Sequence, residues 1–90
     1  MERFKLKDSV KLDYDDGELM LVDLETGFVG KGNKAAYKVL NLLRDPKSEQ
    51  EIIACLSHDY SESQLYRIKK AVPKILNWSM ERKIVIGVNE

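Results

Sequence analysis

The stretch "LVDLETGFVGKGNKAA", residues 21–36, decides the fold. Its apolar opening belongs to a run too short for a helix, and Glu25-Thr26-Gly27 reads as a turn. Phe28-Val29-Gly30-Lys31 then returns antiparallel as a strand. Asn33 stands where a helix N-cap is expected, because its side chain can accept from the free amides of a first turn. Gly30 and Gly32 weaken the strand's own packing and leave room for something else to approach the backbone. The sheet ends here and the helices begin.

Upstream, Phe4-Lys5-Leu6-Lys7 and Val10-Lys11-Leu12-Asp13 alternate apolar and polar, the mark of half-buried strands. Asp15-Asp16-Gly17 is a turn, and Leu19-Met20-Leu21-Val22 is the central strand of a meander. The strand at residues 28–31 falls at the edge of that meander. Downstream, Ala36, Val39, Leu40 and Leu43 recur with helical period, and Asp45-Pro46 ends the helix. Ser48-Glu49-Gln50-Glu51 is a capping box that opens a second helix with Ile52, Ile53 and Leu56 on its apolar face. Ser61-Glu62-Ser63-Gln64 opens a third, running to about Arg82. Pro73 inside it predicts a kink or break near residues 69–73. A last short strand is expected within residues 83–88.

Ninety residues make one domain, residues 1–90, with a core of moderate size. Apolar content of 43% with 33% charged residues belongs to a folded globular chain rather than a disordered one. No run reaches the roughly 18 apolar residues of a membrane span, so no membrane partner is expected. One cysteine cannot form an internal disulfide, which makes the reducing cytoplasm the expected compartment. Net charge is zero, with the acids weighted toward the first third, so a nucleic-acid partner is disfavoured.

The usual catalytic and metal-binding constellations are missing. Cys55 and His58 are the sole cysteine and histidine, too few for a metal site. Gly30-Lys31-Gly32-Asn33-Lys34 fits neither phosphate-loop pattern. Asp13, Asp15, Asp16 and Glu18 cluster around a turn without the spacing of a calcium loop. No enzyme activity, metal or cofactor is expected. In the third helix, Ile68, Ala71, Ile75 and Ser79 form one stripe, read as the core face. Leu65, Lys69, Val72 and Leu76 form another, read as the half-wet wall of a groove. The expected buried set is Ala36, Leu40, Ile52, Leu56, Ile68 and Ile75.

The order of elements resembles the PqqD-like family, recognition elements for ribosomally made peptides that are later modified. The resemblance spans roughly residues 5–86. It rests on Asp23-x-x-Thr26-Gly27, Asn33-x-x-Ala36, Glu51-Ile52 with Leu56 and Tyr60, and Val72-x-x-Ile75-Leu76 ending in Ile84-Val85. Pro46 and Lys83 stand where the family often has glycine, and Ala71 where it often has an acid. The "LVDLETG" wording is similar to stand-alone leader-binding proteins of lasso-peptide pathways. The resemblance implies an α+β, winged-helix-like fold, a three-stranded antiparallel sheet followed by three helices. It also implies that a precursor's leader peptide adds as a strand along Phe28, Val29, Gly30 and Lys31, against groove residues Leu65, Lys69, Val72 and Leu76. Expected partners are that peptide and a processing enzyme, either a leader protease or cyclase or a radical-SAM enzyme, with the protein a monomer. The rival readings are a winged-helix DNA-binding regulator using Arg67, Lys69, Lys70 and Lys74, and a module that dimerises through the same edge.

Overall fold

The computed structural model describes residues 2–89. Five strands and three helices follow in order: β1 (Glu2–Leu6), β2 (Val10–Asp15), β3 (Glu18–Asp23), β4 (Val29–Gly32), α1 (Lys34–Leu42), α2 (Glu49–Ser57), α3 (Glu62–Glu81) and β5 (Val85–Asn89). The fold is α+β and winged-helix-like. β2, β3 and β4 form a three-stranded antiparallel sheet with β3 in the middle.

The β2–β3 hairpin closes on Asp16 and Gly17, with φ of 52° and 77°. Positive φ at both central residues is the twist-matched two-residue turn that Asp-Gly favours. β1 departs from the expected meander. It pairs antiparallel with β5, and Phe4 exchanges backbone bonds of 2.8 and 3.0 Å with Lys47 on its other side. The chain reverses at residues 7–10, where Val10 N–H donates to the Lys7 carbonyl at 3.1 Å, and this carries β2 into the other sheet. The first and last strands thus close a second, two-stranded sheet.

The helix starts are held as their sequences require. The Asn33 side chain accepts from the Ala36 amide at 2.9 Å. Glu51 N–H donates to Ser48 Oγ at 3.2 Å while Ser48 N–H donates to Glu51 Oε1 at 2.9 Å. α3 runs unbroken through Pro73 for 20 residues, so the expected break is absent. The proline costs the Lys69 carbonyl its helical donor, but Lys69 is exposed and water can take that place. Lys83, just past α3, adopts φ of 58°, which explains why glycine suits that position.

The core gathers Leu6, Val10, Leu19 and Leu21 from the strands, Val39, Leu40 and Leu43 from α1 and its cap, and Ile52 and Leu56 from α2. α3 contributes Ile68, Val72 and Leu76, and Ile84 with Val85 completes the set. The expected burial of Leu40, Ile52, Leu56 and Ile68 is seen. Ala36 and Ile75 are half-exposed instead. The buried line on α3 is 68, 72, 76 and 79, which takes members from both expected stripes. The core faces between them, and the wet margin lies on the other side of α3 from the one expected.

Candidate functional site

β4 is an outer strand. Asp23 N–H donates to the Phe28 carbonyl at 2.9 Å, so Phe28 points its carbonyl at β3. Backbone direction alternates along an antiparallel ladder. By the observed register Gly30 and Gly32 then bond to β3, while Val29 and Lys31 turn both amide and carbonyl toward the open edge. Among the described residues, no backbone bond outside the ladders reaches Val29 or Lys31.

The glycines of β4 serve the face of the sheet rather than its edge. A Cβ on Gly30 would lie 3.0 Å from Phe28 Cε2 and 3.3 Å from Trp78 Cη2. One on Gly32 would lie 3.0 Å from the Ala36 Cβ. What approaches the backbone at these points is the protein's own ring and helix. Beside Gly32 lies a cavity of about 230 Å³ floored by Leu19 and Leu21 and walled by Ala36, Lys74, Ile75 and Trp78. Trp78 is held in place by the edge of Phe28, ring centroids 6.4 Å apart, and by the Arg82 guanidinium 4.6 Å from its ring.

Four sequence-named residues meet at this site: Phe28 at its end, and Val29, Gly30 and Lys31 along its edge. The other four do not line it. Val72 and Leu76 are 0% and 3% exposed, closed into the core. At about 100° per residue, Lys69 stands about 180° around α3 from Trp78. Leu65 packs against the core on the Val72 side. The groove wall on α3 is the neighbouring line of Lys74, Ile75 and Trp78. Its sequence signal was apolar residues at i and i+3, Ile75 and Trp78, opposite two glycines at strand period, Gly30 and Gly32.

The turn leading into β4 is anchored by Asp23, which is buried. Its carboxylate accepts from Lys7 Nζ and Ser9 Oγ, each at 2.8 Å, and from the Glu25 amide at 2.9 Å. The Lys7 ammonium above all, then the Ser9 hydroxyl, holds this carboxyl well below the usual carboxylate range. The same bond raises the Lys7 ammonium above its ordinary value. Gly27, with φ of 80°, lets its N–H return to the Asp23 carbonyl at 2.7 Å. The Asp23-x-x-Thr26-Gly27 wording is thus the lock that sets where the free edge begins.

A small winged-helix-like domain with an open sheet edge beside an apolar groove is the class that this geometry defines. No protein-family model matches the chain, and no curated protein matches it. Two solved structures share the fold. "TbiB1 in Complex with the TbiA(beta) Leader Peptide" matches with a TM-score of 0.73 and 21% identity, over 96% of this chain and 99% of that one. "Lasso peptide synthetase B1 complexed with the leader peptide" matches with a TM-score of 0.68 and 17% identity, over 92% and 96%. At such identities the likeness fixes the fold.

Proposed function

We propose that this protein is a non-catalytic recognition element that binds the leader of a ribosomally synthesised precursor peptide by strand addition to β4. The observation that carries this reading is the open edge at Val29 and Lys31 directly beside the Trp78 groove. An extended segment pairing there would add a fourth strand, the β-augmentation mode. Both solved structures named above are leader-peptide complexes, which supports this reading. We place the protein in the cytoplasm as a monomer that presents the leader to a lasso-type protease or cyclase.

Magnitudes say where affinity arises. The four outward backbone groups offer about 0.5–1.5 kcal/mol per hydrogen bond. Ordering the peptide costs roughly 1–2 kcal/mol per residue, so pairing alone gives no net affinity. The surplus comes from peptide side chains entering the groove, at about 25 cal/mol per Å². On an added strand, the residues opposite Gly30 and Gly32 share the groove face, where Ile75 and Trp78 stand. Zero net charge counts against the DNA-binding alternative.

Amide NMR titration with separate leader and core peptides of a candidate precursor tests the reading. The leader should shift residues 28–33 and 71–78, and the core peptide should shift neither. Leader shifts confined to α2 and the β2–β3 hairpin would refute it. Val29→Pro, whose lost amide faces the edge, should weaken binding about two- to tenfold with the fold intact.

A further inference from the structure

We infer that the segment taken by this groove is acidic, with a carboxylate placed against Lys74, an inference that rests on the strand-addition reading above. The groove lining includes Lys74 and no acid; Lys31 lines it at the strand edge but turns its ammonium to Glu18 on the opposite face. Among the described residues, neither Lys74 nor Arg67 has a carboxylate within ion-pair distance. The two lie on one line of α3, seven residues apart, together with Trp78.

Trp78 stands beside Gly30, and Lys74 lines the same cavity as Gly32 and Asn33. The helix therefore continues past the end of β4 with its basic residues leading. At about 1.5 Å per residue, Lys70 lies about 6 Å beyond Lys74 along the axis and Arg67 about 10 Å beyond it. Lys34, exposed in the first turn of α1, stands next to Asn33 of the same rim. Glu62, in the first turn of α3, stands about 140° around the helix from Arg67, and the other counter-charges lie elsewhere. Glu81 is at the other end of α3, 3.8 Å from Arg82, and Glu18 reaches Lys31 at 3.7 Å over the opposite face of the sheet. Among the described residues Lys34, Arg67, Lys70 and Lys74 have no carboxylate partner, Lys70 resting over the Tyr66 ring at 4.4 Å, so a chain with zero net charge has gathered these cations along one rim of its groove. A peptide strand passing Gly32 meets this field before any other. Its matching chemistry is an apolar residue over Gly30 or Gly32, followed within a turn's length by Asp or Glu.

Selection from a displayed library of random dodecapeptides on the intact protein, alongside Lys74→Glu, tests this. The wild type should enrich Asp or Glu at a fixed offset from an apolar anchor. Lys74→Glu should shift that same position toward Lys or Arg. Changing the selected acid to its amide should weaken binding about three- to fivefold at low salt, the effect fading as salt rises. An apolar anchor that shifts the amides of residues 28–33 but carries no charge preference, or the same preference in both proteins, would overturn this inference alone. Peptides that leave those amides unmoved, or no enrichment at all, would overturn the strand-addition reading and this one with it.

Discussion

Asp23 is closed off from water, yet its carboxylate stays charged because Lys7, Ser9 and the Glu25 amide all donate to it. Its depressed ionisation ties fold stability to pH. The contribution is fully present above the unfolded carboxylate value of about 3.9 and is lost as pH falls below it. Lys7 works in the opposite sense. Its raised ionisation contributes below an ordinary lysine value of about 10.4 and is lost as pH rises beyond it. Melting temperature should therefore be flat between these limits and fall at both. Asp23→Asn should melt lower than the wild type at neutral pH and show a shallower acid fall, readable by circular dichroism from pH 2 to 8. Ser79 is the opposite case: a hydroxyl with no exposure and no partner, inside α3. Ser79→Ala removes an unpaired buried polar atom and improves helix propensity. It should stabilise the fold by about 1 kcal/mol in urea titration.

At the scale of elements, α3 carries both the core and the groove, and a rotation of less than a quarter turn separates them. Val72 lies in the core at 0% exposed, whereas Ile75 is half-exposed on the groove wall. Val72→Asp should cost more than 3 kcal/mol and leave much of the chain unfolded. Ile75→Asp should fold and lose peptide affinity. Thermal melts of the two variants side by side check the contrast. The same rotation marks the limit of what the sequence made legible. The helix starts at Asn33 and Ser48, the Asp16-Gly17 turn, the central strand and the edge strand are local signals and could be read directly. Which stripe of α3 faces inward depends on the tilt of α3 across the sheet, and neighbouring i, i+3, i+4 series look alike in sequence. A lysine at 69 suggested a wet margin, but Lys69 reaches solvent from the flank of the core. The pairing of β1 with β5 was likewise invisible, because it joins residues 79 to 87 positions apart.

For the whole molecule, the open β4 edge raises the question of self-association, since an unpaired strand can accept a second copy as readily as a peptide. Val29, 60% exposed, and Met20 add apolar surface on the outer face of the sheet. Three features oppose pairing. The edge is four residues long, which limits the backbone bonds a partner could form. Lys31 lies on it and would meet the same charge, or another glycine-bearing strand, in a second copy. The groove also stays unfilled where two copies of β4 pair with Gly30 opposite Gly32, because neither glycine has a side chain for the space beside Trp78. On the strand-addition reading a peptide would fill that space, so peptide should displace a second copy from the edge. The protein should run in light scattering at a single mass of 10.4 kDa at micromolar concentration. Saturating peptide should raise its melting temperature without raising the mass beyond one peptide. At a hundred times the dissociation constant, mass action gives about 2.7 kcal/mol of added stability. In a domain of this size that corresponds to a rise on the order of 10 °C or more. A mass of twice the monomer that collapses to one on adding peptide would show that the copies had been using the same edge.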